Sequence, residues 1–413
     1  MRGIRSIRDV EVSGKRVLLR TSLNVPVAED GTVGDLFRLK RALPTIEYLA
    51  KQGAKIIIVG YIGRAGATLA PVAQALQKLA PNISIRFSDA KVVEGSRQHT
   101  PEKVLGSPQR QPEEVGLGPD YFHEHTAATP PRALVDEIKP GECLMLENIR
   151  LEPGEEKNDP ALAQALAKLA DIFVSDSFAE AHREYASNVG VAKLLPSYSG
   201  FLLEEEIDRL SEALNPPEHS IAMVGGAKFD TKEPLLSKLV ARYEKILLGG
   251  ALADDMIKMR GMPVGASLVS DSPVPTVLAM DTKISVPVDA VVNEVGMQTE
   301  RISLINDIRA DERIVDIGPQ TSIGWSGEVV NAPFILWNGP MGIYEEGYVQ
   351  GTDALAEALS HAAGRAAVGG GDTAAALAQF SFDPTRVFIS TGGGAMLQFL
   401  TDGTLPGIEA LKQ

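Results

Sequence analysis

Two hydrophobic periods alternate along the chain. Short apolar runs at Arg16-Val17-Leu18-Leu19-Arg20, Ile56-Ile57-Ile58-Val59, Leu144-Met145-Leu146 and Ile172-Phe173-Val174 have the length and branching of strands buried on both faces. Between them, Leu39 to Lys51, Leu69 to Leu79 and Ala161 to Ala170 carry helical spacing, and Gly53 stops the first of these helices. Strand, helix and strand in this order make βαβ units, hence a parallel sheet covered by helices. The alternation pauses at Leu195-Pro196-Ser197-Tyr198-Ser199-Gly200, where a link between domains is expected, and Phe201 to Leu214 then reads as an amphipathic helix with an acidic start. It resumes with six more runs: Ile221-Ala222-Met223-Val224, Ile246-Leu247-Leu248, Ile284-Ser285-Val286, Phe334-Ile335-Leu336-Trp337, Ala366-Ala367-Val368 and Val387-Phe388-Ile389. The fold class expected is α/β, with two doubly wound parallel-sheet domains joined by a hinge helix. The first covers 1–195, with 396–413 packing back on it, and the second covers 196–395. A length of 413 residues also exceeds what one hydrophobic core usually supports.

Between about Glu94 and Arg132 the pattern fails, because six prolines interrupt a polar stretch. A loop of that length is functional or poorly ordered. His99, His123 and His125 lie in it, and His123-Glu124-His125 invites a metal reading, but flanking ligands at suitable spacing are missing.

Composition narrows the class. A hydrophobic content of 44% and a charged content of 23% are those of a folded soluble protein, and a net charge of −14 argues against broad nucleic-acid or anionic-membrane binding. One cysteine, Cys143, cannot form an internal disulfide, and neither a signal peptide nor a membrane-length apolar run is visible. A cytoplasmic setting fits best.

The chemistry gathers at strand ends. In the second half, Gly225-Gly226-Ala227-Lys228, Gly249-Gly250, Gly339-Pro340, Gly369-Gly370-Gly371 and Gly392-Gly393-Gly394 all follow expected strands, where open α/β sheets bind ligands. Gly369-Gly370-Gly371-Asp372-Thr373 leads into a helix, so bare N–H groups there suit phosphate oxygens and the Asp372 carboxylate suits the accompanying magnesium. A tight turn capped by Asp372 is the alternative. Lys228 and Lys232, four apart, share a face if a helix starts there, and could both reach phosphates. In the first half, Arg20 closes a strand, Arg38 lies in the next loop, and Arg64, Arg150 and Arg183 follow later strands of the same sheet. Guanidinium groups bind oxyanions bidentately, so this set suggests a pocket for a small phosphorylated carboxylate.

These residues carry a resemblance. Arg20 to Pro26, Gly63-Arg64, Leu146 to Arg150, Pro153 to Asp159 and Ala181-His182-Arg183 resemble phosphoglycerate kinase. So do Gly225 to Lys228, Trp337 to Gly342, Gly369 to Thr373 and Ser390 to Ala395, in family order and nearly end to end, with about 94–132 set apart as an insertion. The resemblance implies reversible phosphoryl transfer between 1,3-bisphosphoglycerate and ADP, giving 3-phosphoglycerate and ATP with magnesium, by hinge closure of two substrate-binding domains. It assigns Arg20, Asn24, Arg38, Arg64, Arg150 and Arg183 to phosphoglycerate, with Arg38 also facing the transferring group. It assigns Lys228, Lys232, Asn338, Glu345, Asp372 and Thr373 to the nucleotide, with Glu345 on the ribose and Asp372 on the metal. Gly226, Gly250, Gly370, Gly371 and Gly394 supply N–H groups around the phosphates. Arg38, Lys228, Gly371 and Gly394 are expected to matter most to catalysis, since this chemistry needs positioning and charge stabilisation. Partners are small molecules only, and a monomer is expected.

The chain departs from the family pattern at Ser22, where an aspartate is usual, and at Tyr61, where a histidine is usual; both belong to the phosphoglycerate site. Ser175, Ser177, Ala179 and Glu180 replace the usual Asn, Ala, Gly and Thr, and Ala251 replaces a third glycine after Gly249-Gly250. Three readings are compatible with this: a working kinase with a retuned acceptor site, a nucleotide-binding relative without normal turnover, and a kinase for another small carboxylate. If the two swaps only weaken binding, Ser22→Asp combined with Tyr61→His lowers the Michaelis constant for 3-phosphoglycerate, which steady-state kinetics would measure.

Overall fold

The computed structural model describes residues 3–63, 67–92, 131–226, 229–271, 274–297 and 299–412. Most of the 94–132 stretch, with His99, His123 and His125, lies outside them, as do Arg64 and Lys228. The chain divides into two compact units, Met1–Glu205 with Leu405–Gln413, and Glu206–Thr404.

The first unit is built on six strands: β1 (Arg16–Thr21), β2 (Lys55–Val59), β3 (Ile85–Ser88), β4 (Cys143–Leu146), β5 (Ile172–Asp176) and β6 (Ser197–Ser199). Their order is β3-β4-β2-β1-β5-β6 and every neighbouring pair is parallel. Four of the five β2 residues, and all four of β4, are buried, as the continuous apolar runs require when helices cover both faces. The helix Phe37–Lys51 turns Leu39, Ala42, Ile46 and Leu49 inward, a stripe at three- and four-residue spacing that joins the core of β1 and β2.

Two strands escape the hydrophobic pattern. β3 has only four positions, buried at the two ends and half-buried between them. β6 is Ser-Tyr-Ser, within the stretch read as an interdomain link; it is the sheet edge, aligned with Phe173 to Ser175, and Ser199 N–H donates to Arg5 O at 2.9 Å. Backbone pairing alone makes this strand, so its residue types gave no signal.

The second unit contains the six expected strands: β7 (Ile221–Val224), β8 (Lys245–Leu248), β9 (Ile284–Ser285), β13 (Phe334–Asn338), β14 (Arg365–Gly369) and β15 (Val387–Ile389). They form one parallel sheet in the order β15-β14-β13-β7-β8-β9. A smaller antiparallel sheet of β10 (Asp289–Glu294), β11 (Glu300–Leu304) and β12 (Glu312–Ile317), in the order β11-β10-β12, was not foreseen. Its outer strand β11 is largely exposed, so no apolar run marks it. In each parallel sheet the chain first builds outward on one side and then returns to the other, leaving a switch point beside β1 in the first and between β7 and β13 in the second. Crevices form at the carboxyl ends of strands flanking such points.

The helix Phe201–Leu214 appears where the sequence placed it and straddles the division between the units. Its first turn is capped from β5, where Asp176 Oδ1 accepts the N–H groups of Leu202 at 2.9 Å and Leu203 at 3.2 Å. Within the second unit, buried Glu206 accepts the Ser390 hydroxyl at 2.7 Å, the Thr391 hydroxyl at 2.7 Å and the Thr391 N–H at 2.6 Å. That carboxylate fixes the start of the glycine turn after β15.

The switch point of the second sheet is closed by backbone. A Cβ built on Gly225 would lie 1.9 Å from Pro340 O, whereas one on Gly324, exposed inside the helix Pro319–Asn331, meets nothing within 4 Å. Gly225→Ala is expected to destabilise the second unit by about 3 kcal/mol, as overpacking against rigid backbone does. Gly324→Ala is expected to stabilise it by about 0.5–1 kcal/mol through helix propensity. Urea denaturation of both variants checks the pair.

Candidate active site

In the first unit, the carboxyl ends of β1, β2, β4 and β5 bring together Arg20, Ser22, Asn24, Arg38, Tyr61 and Arg150. Arg20 is 1% exposed. Its Nε donates to Ser187 Oγ at 3.0 Å and its Nη1 to Thr21 O at 2.9 Å, while Glu180 Oε2 stands 3.9 Å from Nη1. Ser187 in turn donates from Oγ to Glu155 Oε1 at 2.5 Å and from its N–H to Glu155 Oε2 at 2.9 Å. Burial raises the pKa of Glu155, and Arg20 opposes that rise. Arg20 therefore lends positive charge to the cluster from beneath.

Asn24 organises the loop after β1. Its Oδ1 accepts the Gly63 N–H at 3.0 Å, its Nδ2 donates to Tyr61 Oη at 3.4 Å, and its carbonyl accepts Arg38 Nη1 at 3.1 Å. Arg150 Nη1 donates to Gly63 O at 2.7 Å, and the Arg150 guanidinium carbon sits 3.7 Å from the centroid of the Tyr61 ring. Arg20 approaches the same ring at 5.7 Å. The aromatic ring thus lies against cations. Burial, and then the nearby Glu180 carboxylate, push the Tyr61 phenol up to about 12, so it stays a neutral hydroxyl. Arg183, after β5, is exposed and shares no hydrogen bond with this cluster among the described residues; its carbonyl accepts Asn188 Nδ2 at 3.0 Å.

In the second unit a cavity of about 520 Å³ opens at the switch point, with Gly226, Lys232, Gly250, Asn338, Glu345, Gly370, Asp372 and Thr373 among its lining residues. Ala251 lines it too, where a glycine was expected. Lys232, in the helix Phe229–Arg242, is buried and donates to Gly225 O. Desolvation lowers its pKa to about 8, against the pull of Asp372. Glu345 stands exposed in the turn Tyr344–Glu346.

The pentapeptide Gly369 to Thr373 joins β14 to the helix Gly371–Leu377 through Gly370, whose φ of +108° is a conformation that side chains resist. Gly370 is the capping residue and no side chain caps this helix, so Asp372 is not spent on the turn and stays exposed at the cavity. Thr373 is buried and its Oγ1 accepts the Gly339 N–H at 2.8 Å, while Asn338 Nδ2 donates to Gly369 O at 2.9 Å. Both tie the turns after β13 and β14 together. Gly394 lies exposed in the first turn of the helix Gly393–Asp402.

Three carboxylates escaped the sequence reading as functional groups. Glu206 anchors the Thr391 turn from the acidic start of the helix Phe201–Leu214. Glu180 enters the Arg20 cluster from a short turn, Phe178–Glu180. Asp254 lines the cavity, buried, with Oδ1 lacking a hydrogen-bond partner; burial and then Asp255 push its pKa well above the carboxylate range. Nothing in the local sequence marks which of these acidic residues point inward. Among the described residues, no group of three or more His, Cys, Asp or Glu side chains could hold a metal.

A family model described as phosphoglycerate kinase matches residues 7–106 and 113–403. The match continues through most of the 94–132 stretch and lapses only over 107–112. The chain is 36% identical over 418 residues to a phosphoglycerate kinase of Pseudothermotoga lettingae, covering 98% of each chain. It is 37% identical over 422 residues to one of Chloroflexus aurantiacus, covering 99% of this chain and 98% of the relative. Among solved structures it is similar to phosphoglycerate kinase from Coxiella burnetii, with a TM-score of 0.77 and 32% identity over 99% of this chain and 98% of that one. Phosphoglycerate kinase from Pyrococcus horikoshii gives a TM-score of 0.78 and 26% identity over the same shares.

The depressed pKa of Lys232 has a consequence for anions. Protonated below about 8 and neutral above, its ammonium attracts phosphate only on the acid side. Affinity for ADP is expected to fall as pH rises through that value, and binding to take up a fraction of a proton there. Calorimetric titration in buffers of different ionisation enthalpy measures both, and Lys232→Met should remove the proton uptake.

Proposed function

Because the chain belongs to the phosphoglycerate kinase family, we propose that it transfers a phosphoryl group reversibly between 1,3-bisphosphoglycerate and ADP, giving 3-phosphoglycerate and ATP. The observation that carries this reading is the pairing of two ligand chemistries: guanidinium groups gathered around Asn24 in the first unit, and a glycine-walled cavity with Lys232 and Asp372 in the second. The first suits a small phosphorylated carboxylate and the second suits a nucleoside diphosphate.

The reaction asks little covalent help of the protein. A terminal oxygen of ADP attacks the acyl phosphorus, the bond from phosphorus to the carboxyl oxygen breaks, and a carboxylate leaves. The leaving group is a weak base, so no proton has to be supplied to it. What remains is to hold the partners in line and to match the charge spread over the transferring oxygens. Arg38, whose Nη1 donates to the Asn24 carbonyl, is assigned to that charge, and Lys228 and the N–H groups of Gly371 and Gly394 are assigned to it from the nucleotide side. Arg20, Asn24, Arg64, Arg150 and Arg183 take the phosphoglycerate; Lys232, Asn338, Glu345 and Thr373 take or shape the seat of the nucleotide. Asp372, exposed and free of the helix cap, is the hard oxygen donor that would hold magnesium, which supplies charge neutralisation to the phosphates. The substrates are small molecules, and no helix among the described residues is long and apolar enough to cross a membrane. A cytoplasmic monomer is the setting this reading takes.

Turnover of 3-phosphoglycerate and MgATP in a coupled assay tests the proposal; no turnover at saturating substrates, with ADP still raising the melting temperature, would leave a nucleotide-binding relative instead. Arg38→Ala is expected to lower kcat on the order of a hundredfold, as loss of a group acting on transition-state charge does. Unchanged turnover in that variant removes Arg38 from the catalytic role.

A further inference from the structure

We propose that Glu180 supplies the carboxylate of the acceptor pocket, acting with Ser22 and Ser177 as one hydrogen-bonded unit that reads the hydroxyl beside the acceptor's carboxyl group. The inference rests on the phosphoglycerate reading above and names a specificity residue within it. Ser22 and Tyr61 taken alone leave the pocket short of an acidic group at the end of β1. The folded chain returns one from β5: Glu180 Oε2 lies 3.1 Å from Ser22 Oγ, and Ser177 Oγ lies 3.0 Å from the same Ser22 oxygen while also meeting Glu180 Oε2.

The environment argues for use as well as for structure. The Glu180 side chain is 3% exposed, and burying a carboxylate is costly unless it is well paired. Its cationic partner among the described residues, Arg20, is 3.9 Å away and already donates to Ser187 and to Thr21 O. Two serine hydroxyls meet Oε2, while Oε1 is buried without a hydrogen-bond partner. This buried acceptor, with the Tyr61 phenol as a neighbouring donor and lone pairs still unused, lies among the residues assigned to phosphoglycerate and calls for a further donor. A ligand hydroxyl meets that need; neither the phosphate nor the carboxylate of the same ligand does, because both are acceptors.

This geometry makes the effect of a change at position 22 depend on Glu180. Ser22→Asp on its own would set a second carboxylate about 3 Å from Glu180, where like charges repel and one must be protonated or displaced. The two positions should therefore be coupled, and a double-mutant cycle reads the coupling. Glu180→Thr is expected to raise the Michaelis constant for 3-phosphoglycerate about tenfold or more and to leave that for ATP within about twofold, as loss of a charge-assisted hydrogen bond predicts. Ser22→Asp alone is expected to bind 3-phosphoglycerate no better than the native chain. Ser22→Asp with Glu180→Thr is expected to recover native binding to within about threefold, well beyond the product of the single effects.

Direct binding separates this proposal from the enzymatic reading. Calorimetric titration with 3-phosphoglycerate and with its 2-deoxy analogue should give a native preference for the hydroxyl of about tenfold that Glu180→Gln abolishes. A role confined to holding Arg20 would weaken both ligands alike and overturns the proposal, as would additive single effects in the cycle. Absence of turnover with that preference intact overturns the kinase reading and leaves Glu180 in place. Melting temperatures of each variant with and without ADP identify any that fail to fold; Glu180→Gln, which keeps the shape, then carries the test.

Discussion

A guanidinium buried in a parallel sheet must be matched on every side, and Arg20 dictates how the ligand edge of the first unit is built. Its Nε is answered by Ser187, its Nη1 by the Thr21 carbonyl, and its charge by Glu155 through Ser187 on one side and Glu180 on the other. Removing any partner would leave a buried charge short of compensation, which costs more than the pair contributes when complete. The turn Phe178–Glu180 and the π-helical segment Ala186–Gly190 are thus tied to the end of β1 by electrostatics as well as by packing.

The second unit reaches its ligand edge by a different route. There the constraint is close approach of backbone to backbone, with Gly225 against Pro340 and the Gly339 N–H donated to Thr373. Side chains are kept out where the chain must pass close, and polar groups such as Asn338 stitch adjacent turns together. The result is a cavity whose phosphate-facing turns are glycine, with buried Lys232 and exposed Asp372 among the charged groups that line it. Such a surface suits a ligand recognised by its phosphates, while the first unit, lined by long cationic side chains, suits one recognised by several separated oxyanions.

Much of this could be read in advance. The six strands of the second parallel sheet and the helix Phe201–Leu214 stand where the hydrophobic periods put them, since burial on both faces writes a continuous apolar run. The glycine turns were legible for a related reason, as few other residues allow their backbone. What escaped were β3, only four residues long, β6, made by pairing and not by residue preference, and β10 to β12, whose mixed buried and part-exposed positions carry a weak signal. Asp372 illustrates the limit within the site. From sequence it could have been a helix cap or a ligand, and only the capping role of Gly370 releases it.

Composition and order of residues by themselves determined the class of fold and the family, because those depend on local period and on motifs contiguous in the chain. Tertiary structure alone decided which charges face one another. Ser22 and Glu180 are 158 positions apart, yet their side-chain oxygens lie 3.1 Å from each other, since β1 and β5 are neighbours in the sheet. Electrostatic balance in a pocket is set by distance in space. A pocket that looks depleted along one strand is complete once the adjacent strand is in place.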